Sequence, residues 1–174
     1  MKVTAIILAS GKGKRCGLPK AEMQIQGKSF LVHLQEILLE AGMADVFIAQ
    51  YQDTSDMLST LIRAVNELKK SQENSGYLVF PVDFPFVKPQ TVVALMQEHR
   101  QNPNAVIRPI YKNKRGHPIL IPACINLDND DNQQGLKYII RNSGLPLYDV
   151  PVEDDGILKN VNTREDLSLW MPKN

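Results

Sequence analysis

The chain is poor in the residues that staple small secreted proteins, with only two cysteines, Cys16 and Cys124, among 174 residues. They form neither a CxxC pair nor a zinc spacing, which excludes a disulfide scaffold and a structural zinc site and suits a reducing compartment. Charge of one sign is lacking too: twenty Lys plus Arg against nineteen Asp plus Glu leave a formal net charge of +1. No whole-molecule field draws the chain toward nucleic acid or anionic lipid, so any basic site is local. Long apolar runs are missing as well. Stretches such as Ala5 to Ala9 and Val46 to Ala49 fall far short of the roughly 20 residues of a membrane helix, and the amino terminus has no signal-peptide pattern. The expectation is a soluble, cytoplasmic protein with no nucleic-acid or membrane partner.

What is present suffices for one ordinary core. The chain is 43% hydrophobic and 22% charged. At this length about 70% of the unfolded surface is buried on folding, and a second full domain has no room, so residues 1–174 read as a single domain.

Short apolar runs alternate with helical periodicity throughout. Val3 to Ala9 is apolar and β-branched and predicts a strand buried on both faces. Leu31, Val32, Leu34, Leu38 and Leu39 recur at helical spacing between Ser29, a candidate N-cap, and Gly42, a candidate stop. Asp45 to Gln50 predicts a second strand, Ser55 to Lys70 a helix, Tyr77 to Pro81 a third strand, and Pro89 to about His99 another helix. Ala105 to Ile110 and His117 to Ile121 read as strands joined by the polar turn Tyr111 to Gly116. Gln133 to Asn142 is expected to be helical, Leu147 to Val152 a late strand, and Thr163 to Trp170 a closing helix. This alternation predicts an α/β sandwich with a mostly parallel sheet and an antiparallel hairpin, with ligands outside the carboxyl ends of the strands.

The loop after the first strand carries the strongest chemical signal. LASGKGKRCGLPK, from Leu8 to Lys20, sets Gly11, Gly13 and Gly17 among Lys12, Lys14, Arg15 and Lys20. The first twenty residues hold five basic side chains and no acidic one. Glycines let backbone N–H groups face a ligand and the cations neutralise charge, which suits a polyphosphate; a solvated basic loop is the bland alternative. A Walker A loop is excluded by the missing GK[ST], and the glycine spacing is one residue too long for the dinucleotide GxGxxG.

These residues carry a resemblance. LASGKGKR followed by GLPK is similar to the LAxGxGxRxGxPK signature of nucleotidyltransferases with a nucleotide-diphospho-sugar transferase fold, specifically their molybdenum-cofactor cytidylyltransferase and guanylyltransferase branch. The resemblance implies a three-layer α/β/α, Rossmann-like sandwich. It implies that Leu8, Ala9, Ser10, Gly11 and Gly13 line the nucleotide, with Arg15 and Lys20 on the triphosphate of CTP or GTP. Relatives with a small side chain at the place of Ser10 tend toward cytosine and those with Gly toward guanine, so the loop leans to CTP.

An NTP transferase also needs Mg²⁺, which takes few carboxylates and completes its octahedron with phosphate oxygens and water. Asp83, in PVDFPFV, is the only acid between Glu73 and Glu98 and stands past the third strand. It reads as a metal ligand or as a turn or helix cap. The family's D-x-P-x-V element implies the metal role, and makes Asp83 catalytic together with Arg15 and Lys20. Val82 stands where relatives commonly have Gly, which implies a narrower pocket. KNVNTREDL, from Lys159 to Leu167, is similar to the family's NVNT or DIDT element and implies Asn162 as a second metal ligand; Asn162 or Thr163 also reads as a helix cap.

GHPIL, from Gly116 to Leu120, is close to a GHP motif of the same branch. With Arg115, Gly116 and His117 it implies the acceptor side, where Lys112 and Lys114 add positive charge for a phosphorylated acceptor of molybdopterin type. His117 reads equally as a ligand contact or as a hydrogen bond that shapes the loop. The resemblance admits a molybdoenzyme or cofactor chaperone as protein partner, a sugar phosphate as acceptor, or a non-catalytic nucleotide-binding role. Between Gln50 and Ser59 the chain is about twenty residues shorter than its relatives, the size of a strand and most of a crossover helix, which places a change at the sheet edge.

Overall fold

The run VTAIIL makes the first strand, β1 (Val3–Leu8), and all six of its residues are buried. The computed structural model describes residues 1–10, 19–52, 56–71, 73–127 and 135–171. After a 3₁₀ turn, Lys20–Glu22, comes a small hairpin of β2 (Gln24–Ile25) and β3 (Lys28–Ser29). It closes on Gln26 and Gly27, both at positive φ. Two-residue strands are too short to leave a periodic signal, and neither element was legible in the sequence. The Ser29 hydroxyl accepts from the Val32 N–H and so caps α1 (Phe30–Glu40), while Gly42, at φ +78°, follows its end. β4 (Val46–Ala49), α2 (Met57–Ser71), β5 (Gly76–Pro81) and α3 (Pro89–Gln101), with Pro89 in its first turn, follow close to their expected positions.

The second half departs from expectation in one place. β6 (Val106–Tyr111) turns tightly through Lys112 and Asn113, both at positive φ, into β7 (Lys114–Arg115). The chain then leaves the ladder and resumes as β8 (Ile119–Pro122), so His117 and Pro118 are not in the strand expected there. The reason lies in their hydrogen bonds: the His117 N–H goes to the Ile157 carbonyl at 3.0 Å, and Pro118 has no N–H to give. α4 (Gly135–Asn142), β9 (Leu147–Pro151), a 3₁₀ turn at Asp155–Leu158 and α5 (Arg164–Trp170) complete the chain. Gln133 and Gln134 lie outside the described residues.

The large sheet is ordered β4-β1-β5-β8-β6, with β7 continuing along β6 and β9 paired to it. β4, β1 and β5 are mutually parallel, β8 is antiparallel to β5 and β6, and β9 is parallel to β6. Period-two alternation sends Ala5, Ile7, Leu78 and Phe80 to one face, against Leu34 and Leu38 of α1 and Val92 and Leu95 of α3. Ile6, Tyr77, Val79 and Ile121 go to the other, against Leu61 and Val65 of α2 and Ile139 of α4. The result is an α/β/α sandwich. Among the described residues β4 is the outermost strand on its side and is followed by α2 and then β5, so the stretch between Gln50 and Ser59 adjoins a sheet edge.

Candidate active site

β1 and β5 are neighbours and parallel, so their carboxyl ends bring residues 8–10 beside residues 81–83. The Val82 N–H donates to the Leu8 carbonyl at 3.1 Å and ties the two ends together. Val82 itself is buried in the core on the α1 and α3 side. Ala9 donates its N–H to the Ala49 carbonyl. The Ser10 hydroxyl accepts from the Tyr51 N–H at 2.9 Å and lies 3.3 Å from the Ala49 carbonyl, so it braces the end of β4.

The adjacent residue Asp83 meets Lys20. The Lys20 ammonium donates to Asp83 Oδ2 at 2.7 Å and to Asn162 Oδ1 at 2.6 Å. Three residues separated by 63 and 79 positions thus share one point. The side chains are 20% and 11% exposed for Lys20 and Asp83, so the charge-assisted hydrogen bond is only partly screened by water. The other carboxylate oxygen, Asp83 Oδ1, is buried with no hydrogen-bond partner. A buried anionic oxygen without a donor is costly unless a ligand or water completes it.

Asn162 is positioned by the turn around it. Asp166 Oδ2 accepts from the N–H groups of Asn162 and Thr163, at 2.8 and 2.9 Å, while the Thr163 hydroxyl accepts from the Asp166 N–H. This capping box starts α5. The Asn162 N–H, followed by the Thr163 donors, holds the Asp166 carboxyl below its ordinary range. The cap expected at this motif is present on Thr163, and the Asn162 side-chain oxygen accepts from Lys20. Asp166 was not singled out in the sequence, although its place three residues after Thr163 is the signal for a capping box.

His117 lies on the next wall. Its ring stands 4.6 Å from that of Phe84, centroid to centroid, and its Nδ1 is buried without a partner. Burial pushes the imidazole below its usual 6.5, against the upward pull of Asp83. Gly116 packs face to face with the 3₁₀ turn, where a Cβ would collide with the Ile157 carbonyl. Arg115 is directed elsewhere: its guanidinium pairs with Asp149 at 2.8 Å, and Arg108 holds the same carboxylate. Asp154, also unforeseen, is 2% exposed and accepts from the Lys88 N–H, the Thr91 hydroxyl and the Gly156 N–H. It fastens the start of α3 to the segment that leads to Asn162. Gly11, Gly13, Arg15 and Cys16 lie outside the described residues.

Among the described residues no three His, Cys, Asp or Glu side chains gather into a metal-binding group. One carboxylate and one amide oxygen do converge, a sparse hard-oxygen set that suits an ion completing its shell with phosphate and water rather than a full protein cage.

The MobA-like NTP transferase domain matches residues 5–146. The chain belongs to this family. The match takes in the loop after β1, Asp83 and the GHP segment, while Asn162 lies beyond it. The bifunctional protein GlmU of Syntrophomonas wolfei is 28% identical over 58% of this chain and 27% of its own length. This MobA-like domain spans less than half of the GlmU proteins it matches. The molybdenum cofactor guanylyltransferase of Haemophilus influenzae is 23% identical over 95% of both chains. Among solved structures, Rv0371c of Mycobacterium tuberculosis superposes with a TM-score of 0.80 at 17% identity, covering 97% of this chain and 96% of that one. A structure of the same protein in complex with manganese gives 0.75 at 16% identity, covering 97% of both chains. This MobA-like NTP transferase domain shares the α/β/α sandwich fold of these structures. No helix among its described residues is long and apolar enough to cross a membrane.

Proposed function

We propose that this domain is a Mg²⁺-dependent nucleotidyltransferase that moves an NMP unit from an NTP to a phosphorylated acceptor of molybdopterin type and releases pyrophosphate. The observation that carries the reading is the meeting of Lys20, Asp83 and Asn162 at the carboxyl ends of β1 and β5.

An acceptor phosphate oxygen attacks the α-phosphorus as the bond to the β-phosphate oxygen breaks. Positioning and neutralisation of charge supply most of the acceleration in such transfers. Lys20, with Arg15 from the preceding loop, holds phosphate oxygens, and the backbone of Leu8, Ala9, Ser10, Gly11 and Gly13 lines the nucleotide. Gly116 and His117 face the acceptor, while Arg115 is engaged by Asp149. Asp83 and Asn162 would hold Mg²⁺ through their side-chain oxygens. When bound, the ion supplies Lewis-acid neutralisation of the phosphate charge. The fold relative crystallised with manganese supports a divalent-ion requirement.

The relative matched over 95% of both chains that is named a molybdenum cofactor guanylyltransferase supports the acceptor class and makes GTP a required comparison. Ser10 favours CTP. Pyrophosphate release, measured with each NTP, Mg²⁺ and molybdopterin or sugar-phosphate acceptors, tests the proposal. Turnover with CTP and a molybdopterin-type acceptor, abolished by chelation, is the expected result. Nucleotide binding without turnover for any acceptor would instead identify a non-catalytic binding protein.

A further inference from the structure

The position of the Lys20 ammonium raises a problem for the site just described. It donates to Asp83 Oδ2 at 2.7 Å and Asn162 Oδ1 at 2.6 Å, the two side chains whose oxygens would hold a divalent ion. With Asp83 it forms a pair of zero net charge, and an arriving dication meets a positive charge already seated between its ligands. The two cations repel each other and seek the same lone pairs.

The parts of this seat differ in their freedom. Asp83 is fixed at the backbone, because its carbonyl accepts from the Val161 N–H at 2.8 Å and the preceding Val82 N–H is held by Leu8. Asn162 is fixed by the Asp166 carboxylate at its own N–H. Lys20 is the movable member: a long flexible side chain, 20% exposed, at the edge of a three-residue 3₁₀ turn. Asp83 Oδ1, buried and without a hydrogen-bond partner, stays in reserve for an incoming ligand.

We infer that the Lys20 ammonium and a divalent cation are alternative occupants of the seat between Asp83 and Asn162, so that the nucleotide-free domain keeps its own metal site shut. The inference rests on the proposed nucleotide and metal site. A polyphosphate opens the seat by drawing Lys20 onto its oxygens. Metal and nucleotide then bind with positive coupling beyond their direct chelation, because each assists the other in displacing the same lysine. The device withholds the metal until a phosphate chain is there to use it.

Mn²⁺ binding to the full chain at neutral pH, followed by the electron paramagnetic resonance of the free ion, tests this without turnover. Removing the ammonium in Lys20→Met leaves Asp83 without its counter-ion, and Mn²⁺ alone should then bind about ten- to hundredfold tighter than to the wild type, the usual range of a coupling between sites. Lys20→Gln, a polar replacement checked for folding by its thermal melt, should move affinity the same way. Equal or weaker Mn²⁺ binding by both variants, or no measurable uptake by variants and wild type alike, overturns the inference. A wild-type arm with CTP or GTP, read against the same nucleotide and Mn²⁺ without protein, separates the two claims. Mn²⁺ uptake there, with no gain in the variants, removes only the lysine seat. No uptake with either nucleotide removes the metal and nucleotide site as well.

Discussion

The backbone N–H of Val161 donates to the carbonyl of Asp83 at 2.8 Å, across 78 residues of sequence. This one bond fixes the distance between the segment that delivers Asn162 and the strand end that delivers Asp83, whatever their side chains are doing. It predicts that side-chain changes at Asp83 separate chemistry from folding.

Asp83→Asn keeps that carbonyl and the side-chain volume while removing the charge. Pyrophosphate release should fall by at least ~10²-fold, the scale of losing one preorganised electrostatic contact. Thermal unfolding should stay close to wild type. A rate within a few-fold of wild type would remove Asp83 from the reacting centre.

Gly116 is needed for close approach. In Gly116→Ala the new Cβ would meet the Ile157 carbonyl, and neither backbone can yield cheaply, so urea unfolding should show a loss of about 1–3 kcal/mol. Gly156→Ala, whose Cβ would meet the Phe86 carbonyl, should behave alike. The GHP motif is thus partly a packing motif, which the sequence alone could not distinguish from a ligand-binding one.

Two histidines set an acid limit. His99 hydrogen-bonds Ser75 through Nε2, and burial, aided by the chain's amino terminus, lowers its pKa; burial lowers that of His117 as well. The unfolded chain therefore binds protons that the folded chain refuses. Their contribution is complete above the ordinary value of 6.5 and is lost as pH falls below it toward the lowered folded values. The urea midpoint should drop between pH 7.5 and 5.5, and His99→Asn should flatten part of that drop. A midpoint unchanged over this range would contradict the assignment.

Thr163→Ala removes the N-cap of α5, a helix with no buried residues of its own. A stability loss of about 1 kcal/mol is expected, and amide exchange over residues 160–170 should quicken more than exchange in β1 or β5. Nucleotide turnover should fall as well, because Asn162 loses the turn that aims it. Uniform exchange changes would place the cap's effect elsewhere.

Fold class was legible because β1, β5 and the amphipathic α2 carry strong periodic signals. Lys20, Asp83 and Asn162 could be singled out by motif. Their meeting at one atom could not, since it depends on long-range bonds such as Val161 to Asp83 and on Asp166 holding Asn162. The break between β7 and β8 was missed for the same reason: the His117 N–H is taken by Ile157, some forty residues away in the chain, and no local pattern records it. The pairing of Arg115 with Asp149 was not legible either, because Asp149 sits on another strand.

All nine strands of the described residues are in place by Pro151, yet two of the most deeply enclosed apolar residues, Ile157 and Val161, come afterwards. The same short stretch that seals the oily layer beneath α1 and α3 also brings in the amide at 162. The seal on that layer and the placement of Asn162 therefore stand or fall together.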